Sequence, residues 1–337
     1  MSRNFFAQGV VAMPFLSFCI PTRQRIKLLQ QTLESILSQI TQEIEIVISD
    51  NASSDGTQQA LELLQQSYDC IVYHRFEKEV ACGDNLMHVV SMAQGEYCWL
   101  MTDDDVIEKN ALAKVVEFLK KHPGISGCSV NVQGYCQDMR VKKNIFYSHR
   151  LKQDQIFYTA QEFFAALGAW IGFWSAQIVS KKKWDEALLD TRYLQYQGYH
   201  HLFVITAIVY HFPYFGYLHE KLVGYRSDNE SFSKEYGKSK RFLIDLQAYQ
   251  GVGSTFFLPH VIKKVQAQVL RALLFWQIVR FKIVGLSFQE IWLMFRQSYR
   301  VYKGFLFYWF VFVPLLFCPS WILHRLRPAF KLMRKWL

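Results

Sequence analysis

Three adjacent aspartates, Asp103, Asp104 and Asp105, follow directly on the apolar run "EYCWLM" (96–101). Neighbouring carboxylates repel one another and sit badly in a core, and a divalent cation is what neutralises them. Mg2+ and Mn2+ prefer oxygen ligands, and a cation held by one or two carboxylates keeps positions for phosphate oxygens. Asp103 and Asp105, spaced as D-x-D, are therefore the candidate metal ligands. The alternative is a solvated loop in which Asp104 or Asp105 caps the following helix. A second acidic position stands in "ISDNASSDGT" (48–57). Asp50 leaves an apolar strand, where it can accept a hydrogen bond from a nucleobase edge or a ribose hydroxyl. A strand-to-helix turn explains Asp55, Gly56 and Thr57 without any ligand, but it does not require Asp50 or Asn51. A third candidate is the stretch 225–241, which sets Arg226, Lys234, Lys238, Lys240 and Arg241 among Gly237 and several serines. That composition suits a lid closing over an anionic diphosphate, with Arg226 its leading residue; the alternative is an ordinary solvated loop.

Repeated strand and helix units are needed to hold such loops together. "FLSFCI" (15–20) reads as a buried strand, and "EIEIVIS" (43–49) alternates like a strand. Between them Ile26, Leu29, Leu33, Ile36 and Leu37 fall on one face of a helix over 25–39. A helix over 57–67, a strand near 70–75, a helix near 84–94 and a strand over 96–101 continue the series. Such repeats predict right-handed crossovers, an α/β class and a mostly parallel sheet, with ligands beyond the C-terminal strand ends. Thr22, Asp50 and the aspartate triplet then share one rim. Further on, a helix at "AQEFFAALGAW", an apolar run over 171–180, a buried helix over 200–210 and a strand over 221–226 are expected. Helices near 241–250, 259–284 and 286–300 follow.

Composition narrows the partners. The chain has 337 residues, 51% of them hydrophobic and 16% aromatic, which is far from a disordered composition. Its seven cysteines are scattered without a C-x-x-C pair, which argues against a zinc site or a disulfide framework and fits a reducing compartment. The formal charge of +10 is uneven: residues 260–337 carry thirteen Lys or Arg against the single acid Glu290. Nucleic acid and anionic membrane are the usual partners of such a tail. Residues 305–323 are uncharged and lie beside Arg325, Arg327, Lys331, Arg334 and Lys335, which suits an anionic lipid surface and not nucleic acid. Pro314 and Pro319 would break a spanning helix, so an in-plane or partly inserted segment is expected. The opening residues lack the apolar core of a secretory signal. A second Met at position 13 marks residues 1–13 as an N-terminal extension.

Taken in order, "SFCIPTRQR", "EIVISDNASSDGT", "GDN" (83–85) and "TDDD" resemble the family 2 glycosyltransferases, whose catalytic domain has the GT-A fold. "GYRSDNESF" and "KSKRFLIDLQAY" resemble the bacterial O-antigen abequosyltransferase group. The resemblance implies a Rossmann-like GT-A domain over 14–250 and a helical, membrane-associated tail over 251–337. It implies transfer of a sugar, a deoxyhexose in the relatives, from a nucleotide-sugar donor to a polyprenyl-diphosphate-linked oligosaccharide. The place of action would be the cytoplasmic face of the bacterial inner membrane. Pro21, Thr22 and Arg25 would line the nucleotide pocket, and Asp50 with Asn51 would meet the base. Asn85 and Asp104 would lie near the donor, while Asp103 and Asp105 would hold Mn2+ or Mg2+ against the diphosphate. The family's acidic base falls near 195–202, where this chain reads "YQGYHHLFVI", with His200 and His201 but no carboxylate. His201 is the expected base on this reading, because an unperturbed imidazole suits proton transfer near neutral pH. A retaining enzyme would need no such base. Two rivals use the same residues differently: a metal-dependent nucleotidyl- or phosphotransferase, and a non-catalytic scaffold on a degenerate transferase fold.

Overall fold

The computed structural model describes residues 13–143, 151–196, 198–227 and 237–326. The expected extension up to residue 12, Lys234 and the basic end from Arg327 onward lie outside the described residues.

Strands β1 (Leu16–Thr22), β2 (Ile44–Asp50), β3 (Ile71–Arg75) and β4 (Tyr97–Leu100) pair in parallel in the order β3-β2-β1-β4. Their connections are α1 (Ile26–Leu37), α2 (Thr57–Gln65) and α3 (Cys82–Met92). The amphipathic face of α1 buries Leu29, Leu33 and Ile36, as its spacing dictates. β2 is the expected strand, and every residue of it is buried. Glu45 lies inside because its Oε1 accepts from Ser17 Oγ at 2.5 Å, Gln94 N at 2.6 Å and Gly95 N at 3.1 Å. Gly95 must stay side-chain-free there, since a Cβ would lie 2.5 Å from Ser17 Oγ.

Beyond the triplet come β5 (Val106–Ile107), α4 (Ala111–Lys121) and β6 (Gly127–Tyr135). Next are β7 (Lys142–Lys143), β8 (Gln155–Phe157) and α5 (Ala160–Leu167). A 3₁₀ turn (Trp174–Ala176) then leads into β9 (Gln177–Ser180), α6 (Lys181–Ala187), α7 (His200–His211) and β10 (Phe215–Arg226). β9 slots antiparallel between β4 and β6, and β10 runs parallel to β6. The sheet is therefore mixed, with ten strands and its parallel half on the β1 side. The apolar run over 171–180 holds the 3₁₀ turn and then β9, whose place in the centre brings that turn under the triplet.

The C-terminal region is helical: α8 (Lys238–Phe256), α9 (Pro259–Gln268), a π segment (Val269–Leu274), α10 (Phe275–Val284) and α11 (Phe288–Tyr302). A second π segment (Tyr308–Phe312) continues into α12 (Val313–Phe317). The expected boundary at 250 falls inside α8. Leu270, Ile278, Met294, Tyr308 and Phe312 share one continuous core with the sheet, so this region packs onto the sheet domain. Among the described residues no single helix is long and apolar enough to cross a membrane; Tyr308–Phe317 and Ser320–Leu326 together meet that test but are bent by 109°.

Candidate active site

Thr22 and Asp50 close β1 and β2 as register partners, and the chain leaving β4 delivers the triplet beside them. Thr22 Oγ1 donates to Asp103 Oδ2 at 2.8 Å. Arg25, at the N-terminal cap of α1, sends Nη1 to Asp103 Oδ1 at 2.8 Å and to Asp104 Oδ2 at 3.2 Å. Asp105 sits deeper. Its Oδ2 accepts from Ser175 Oγ at 2.6 Å, its Oδ1 from the backbone N–H of Arg226 at 3.0 Å, and its carbonyl from Thr32 Oγ1 at 2.6 Å. Neither Asp104 nor Asp105 caps α4, because Asn110 occupies that position. The solvated-loop alternative therefore does not describe this segment.

Burial pushes the Asp105 carboxyl up to about 7, and the negative charge of Asp104 adds to the rise; the Ser175 and Arg226 bonds pull the other way. Burial also raises Asp103, to about 6, against the pull of Arg25. Two buried carboxylates that ionise reluctantly, faced by one guanidinium, form a set of hard oxygens whose charge a divalent cation would balance. Among the described residues no third His, Cys, Asp or Glu completes a protein cage. The donor set thus fits a cation that takes its remaining ligands from a substrate.

Asp50 is fully buried; its Oδ1 accepts from Ser53 N at 3.0 Å and its Oδ2 from Tyr73 Oη at 3.0 Å, with Arg75 Nε at 3.7 Å. Burial, the Asp50 charge and the bond to Asp50 push the Tyr73 phenol well up, so it stays a donor. Asn51 clamps residue 80 from both sides: its Nδ2 donates to Val80 O at 2.8 Å and Val80 N donates to its Oδ1 at 2.7 Å. Asn85 does the same to Ser49, accepting from Ser49 Oγ at 2.6 Å and donating to Ser49 O at 3.1 Å. Pro21 pairs in register with Ser49, one step before this rim. Asp50, Asn51 and Asn85 are thus the scaffold of the strand-end turn, and Thr22 and Arg25 are the residues that touch the triplet directly.

Three expectations change in the structure. Arg226 is no lid residue. It is buried, with Nε donating to Asp104 O at 2.9 Å, Nη2 to Gln31 Oε1 at 2.6 Å and Nη1 to the Gln137 carbonyl, so it braces the triplet from behind. Lys238 and Arg241 belong to the first turn of α8, where Lys238 Nζ reaches Gly285 O at 2.6 Å. Arg241 pairs with Asp245 at 2.9 Å and donates to Tyr199 Oη at 3.1 Å.

His201 is a core histidine. Its Nδ1 accepts from Trp174 Nε1–H at 2.6 Å and its Nε2 faces Gly172 O at 3.3 Å, so a ring carrying its proton on Nε2 satisfies both. Burial lowers its pKa to about 3. As placed, it has no lone pair for a substrate proton.

Ser175, Thr32, Gln31 and Tyr73 escaped the sequence reading. Ser175 also accepts from Thr102 N at 3.2 Å, and its partners lie about seventy residues away in sequence. No local pattern announces such a contact.

Comparison with known proteins gives the family and the fold. The sequence profile described as "Glycosyl transferase family 2" matches residues 17–188. The abequosyltransferase RfbV of Salmonella typhimurium is 32% identical over 265 residues, covering 74% of this chain and 77% of its own length. The chain belongs to glycosyl transferase family 2. It is a glycosyltransferase that draws on a nucleotide sugar. A beta-1,3-glucosyltransferase of Campylobacter jejuni, named for a GalNAc(5)-diNAcBac-PP-undecaprenol substrate, is 32% identical over 106 residues; this chain covers 34% of its length. Among solved structures, Staphylococcus aureus TarS 1–349 with UDP-GlcNAc aligns at TM-score 0.61 and 14% identity, over 84% of this chain and 79% of that one. The mannosyltransferase PcManGT of Pyrobaculum calidifontis, solved with GDP-Man and Mn2+, aligns at TM-score 0.55 and 14% identity, over 92% and 87%. At these identities the likeness shows the GT-A-like fold alone.

Proposed function

We propose that this enzyme moves a sugar, a deoxyhexose by its likeness to the abequosyltransferase, from a nucleoside-diphosphate donor onto a polyprenyl-diphosphate-linked oligosaccharide that becomes O-antigen or another surface polysaccharide. The observation that carries the reading is the side-by-side placement of Asp103 and Asp105 with Thr22, Arg25 and Asp50 on one strand-end rim. Asp50 and Asn51 would frame the base, with Pro21 beneath and Asn85 holding the turn. Asp103 and Asp105 would hold Mn2+ or Mg2+, and Asp104 would stay paired with Arg25. When bound, that cation supplies Lewis-acid stabilisation of the departing diphosphate. Thr22 and Arg25 orient the Asp103 carboxylate, Ser175 and the Arg226 amide orient that of Asp105, and the buried Arg226 side chain fixes the loop between them.

The surface supports an acceptor held in lipid. All six exposed Trp and Phe side chains among the described residues lie between 284 and 326: Phe288, Trp292, Trp309, Phe310, Phe317 and Trp321. Exposed Arg296, Arg300 and Lys303 lie among them. Aromatic and cationic side chains on one surface are what an anionic leaflet binds. The enzyme would then work as a peripheral protein at the cytoplasmic face of the inner membrane.

The test is a panel of CDP-, UDP-, dTDP- and GDP-hexoses screened for Mn2+-dependent thermal stabilisation, followed by transfer to a synthetic polyprenyl-diphosphate glycan. Release of nucleoside diphosphate with a lengthened glycan is expected. Release of pyrophosphate instead, or no metal-dependent stabilisation by any sugar nucleotide, would refute the reading.

A further inference from the structure

The loop that carries Arg25 is held by a second loop, 52–57, which follows β2. Ser53 is 3% exposed and bonded in three directions. Its backbone N–H donates to Asp50 Oδ1 at 3.0 Å, its Oγ accepts from the N–H of Gln24 at 2.8 Å, and its carbonyl accepts from Arg75 Nη2 at 3.0 Å. Asp55 acts on the other side of Arg25. Its Oδ2 accepts from the N–H of Ile26 at 2.9 Å, while its Oδ1 accepts from Thr57 Oγ1 at 2.6 Å. The backbone N–H groups before and after Arg25 are therefore both bonded to side chains of the neighbouring loop.

Helix α1 has no cap of its own. Arg25 occupies the cap position without a side-chain bond to the helix start, and the Ile26 amide is among those that a helix leaves without an internal acceptor. A carboxylate also suits the positive end of the helix dipole. Both loops are bent against preference: Gln24 and Ala52 have φ of 54° and 55°, in the left-handed region that residues other than Gly, Asn and Asp rarely adopt. Gln24 is fastened there through Ser54, its Nε2 donating to Ser54 Oγ at 3.0 Å and its Oε1 accepting from the Ser54 N–H at 3.2 Å. Backbone in such a region persists only where its surroundings over-determine it, and such places cluster at functional sites. What this bend delivers is Arg25 Nη1 between Asp103 Oδ1 and Asp104 Oδ2.

We infer that Ser53 and Asp55 are positioning residues for sugar transfer. They hold the Arg25 guanidinium on the aspartates, and Ser53 ties that placement to Asp50. The two ends of the donor site are thereby fixed relative to each other. This rests on the proposed function, which puts the base at Asp50 and the diphosphate at the triplet. Both residues act through Arg25.

The test is a double-mutant cycle in the full-length enzyme with Mn2+, the sugar nucleotide that stabilises the wild type and the synthetic polyprenyl-diphosphate glycan. Ser53→Ala and Asp55→Ala should each raise donor KM about 2- to 10-fold, the worth of one lost hydrogen bond, with a smaller change in kcat. Mn2+-dependent thermal stabilisation by the donor should weaken in step. Ser53→Thr keeps the hydroxyl and should restore both readings. In an Arg25→Ala background the two alanine substitutions should change donor KM by less than about twofold, because the group they place is gone. A lowered metal-free melting temperature at unchanged donor KM would make the contact between the loops purely structural. Losses that multiply in full on Arg25→Ala would mean that the residues act independently of Arg25. Either result overturns the inference. A wild type that no sugar nucleotide stabilises in the presence of Mn2+ would instead overturn the proposed function and this inference with it.

Discussion

The strand-end rim and the C-terminal helices solve opposite problems. On the rim the polar groups are hidden: Asp50, Asp103 and Asp105 are all buried, and each oxygen of their carboxylates meets a protein donor. Between 284 and 326 apolar groups are shown to solvent, with Phe310 and Leu306 about three-quarters exposed at 76% and 77%. A fold that minimised its own free energy alone would do neither. Buried carboxylates cost stability unless paired, and exposed aromatics forgo burial. On the proposed function a cation with a diphosphate would meet the first region and a lipid surface would cover the second.

The largest effect should come from Asp105→Asn. Removing the inner carboxylate should cut transfer by roughly 10²–10³-fold or more, read as product formed at saturating donor and Mn2+. The same change should stabilise the metal-free protein at neutral pH. The sign follows from the raised value near 7: the folded state binds the proton more tightly than the unfolded state does. That contribution is therefore lost as pH rises from about 4 through 7. Asp105→Asn should consequently show its largest gain in melting temperature at pH 8 and the smallest at pH 4. A uniform loss of stability would mean the carboxylate is structural.

His201→Gln sharpens the contrast with the opposite slope. Its folded pKa near 3 lies below the ordinary imidazole value, so the unfolded state takes the proton first and stability falls as pH drops below about 6.5. Replacing it should flatten that acid limb in urea titrations between pH 4 and 7. Arg226→Lys should fail to restore an Arg226→Ala enzyme, because three nitrogens of one planar guanidinium reach Asp104, Gln31 and Gln137. Each buried bond of this kind is worth about 1.5–3 kcal/mol. Denaturant melts should show both variants down by several kcal/mol.

The smallest effect on stability should come from the other region. Phe288→Ser with Phe310→Ser should leave the melting temperature nearly unchanged, since both rings are more than 70% exposed and surface changes are usually within about 0.5 kcal/mol. Binding to vesicles containing a third anionic phosphatidylglycerol should nonetheless fall at least tenfold, at about 1.5–3 kcal/mol per inserted aromatic. Equal vesicle binding by wild type and double variant would remove this surface as the lipid face.

Much of the fold was legible because it rests on local periodicity. The spacing of Leu29, Leu33 and Ile36 writes α1, and the apolar runs write β1 and β4. The triplet was legible for a related reason: three consecutive carboxylates after a buried strand have few physical explanations. The site's other halves were not. Arg226 reads as an exposed cation at the end of a strand, and only the antiparallel entry of β9 with the parallel pairing of β10 and β6 turns it inward behind Asp104. His200 and His201 are adjacent and look interchangeable. Helical geometry turns them about 100° apart, so one meets Trp174 and the other Gly83.

The chain by itself therefore determined which segments become strands and helices, where the acidic rim lies and that the C-terminal end is apolar and basic, since each follows from short-range pattern and charge. Which side chain is braced, which is satisfied and which is left without a partner depended on residues from 27 to 195 positions apart. Hydrogen-bond geometry acts through space, and only the packed sheet brings those groups within reach.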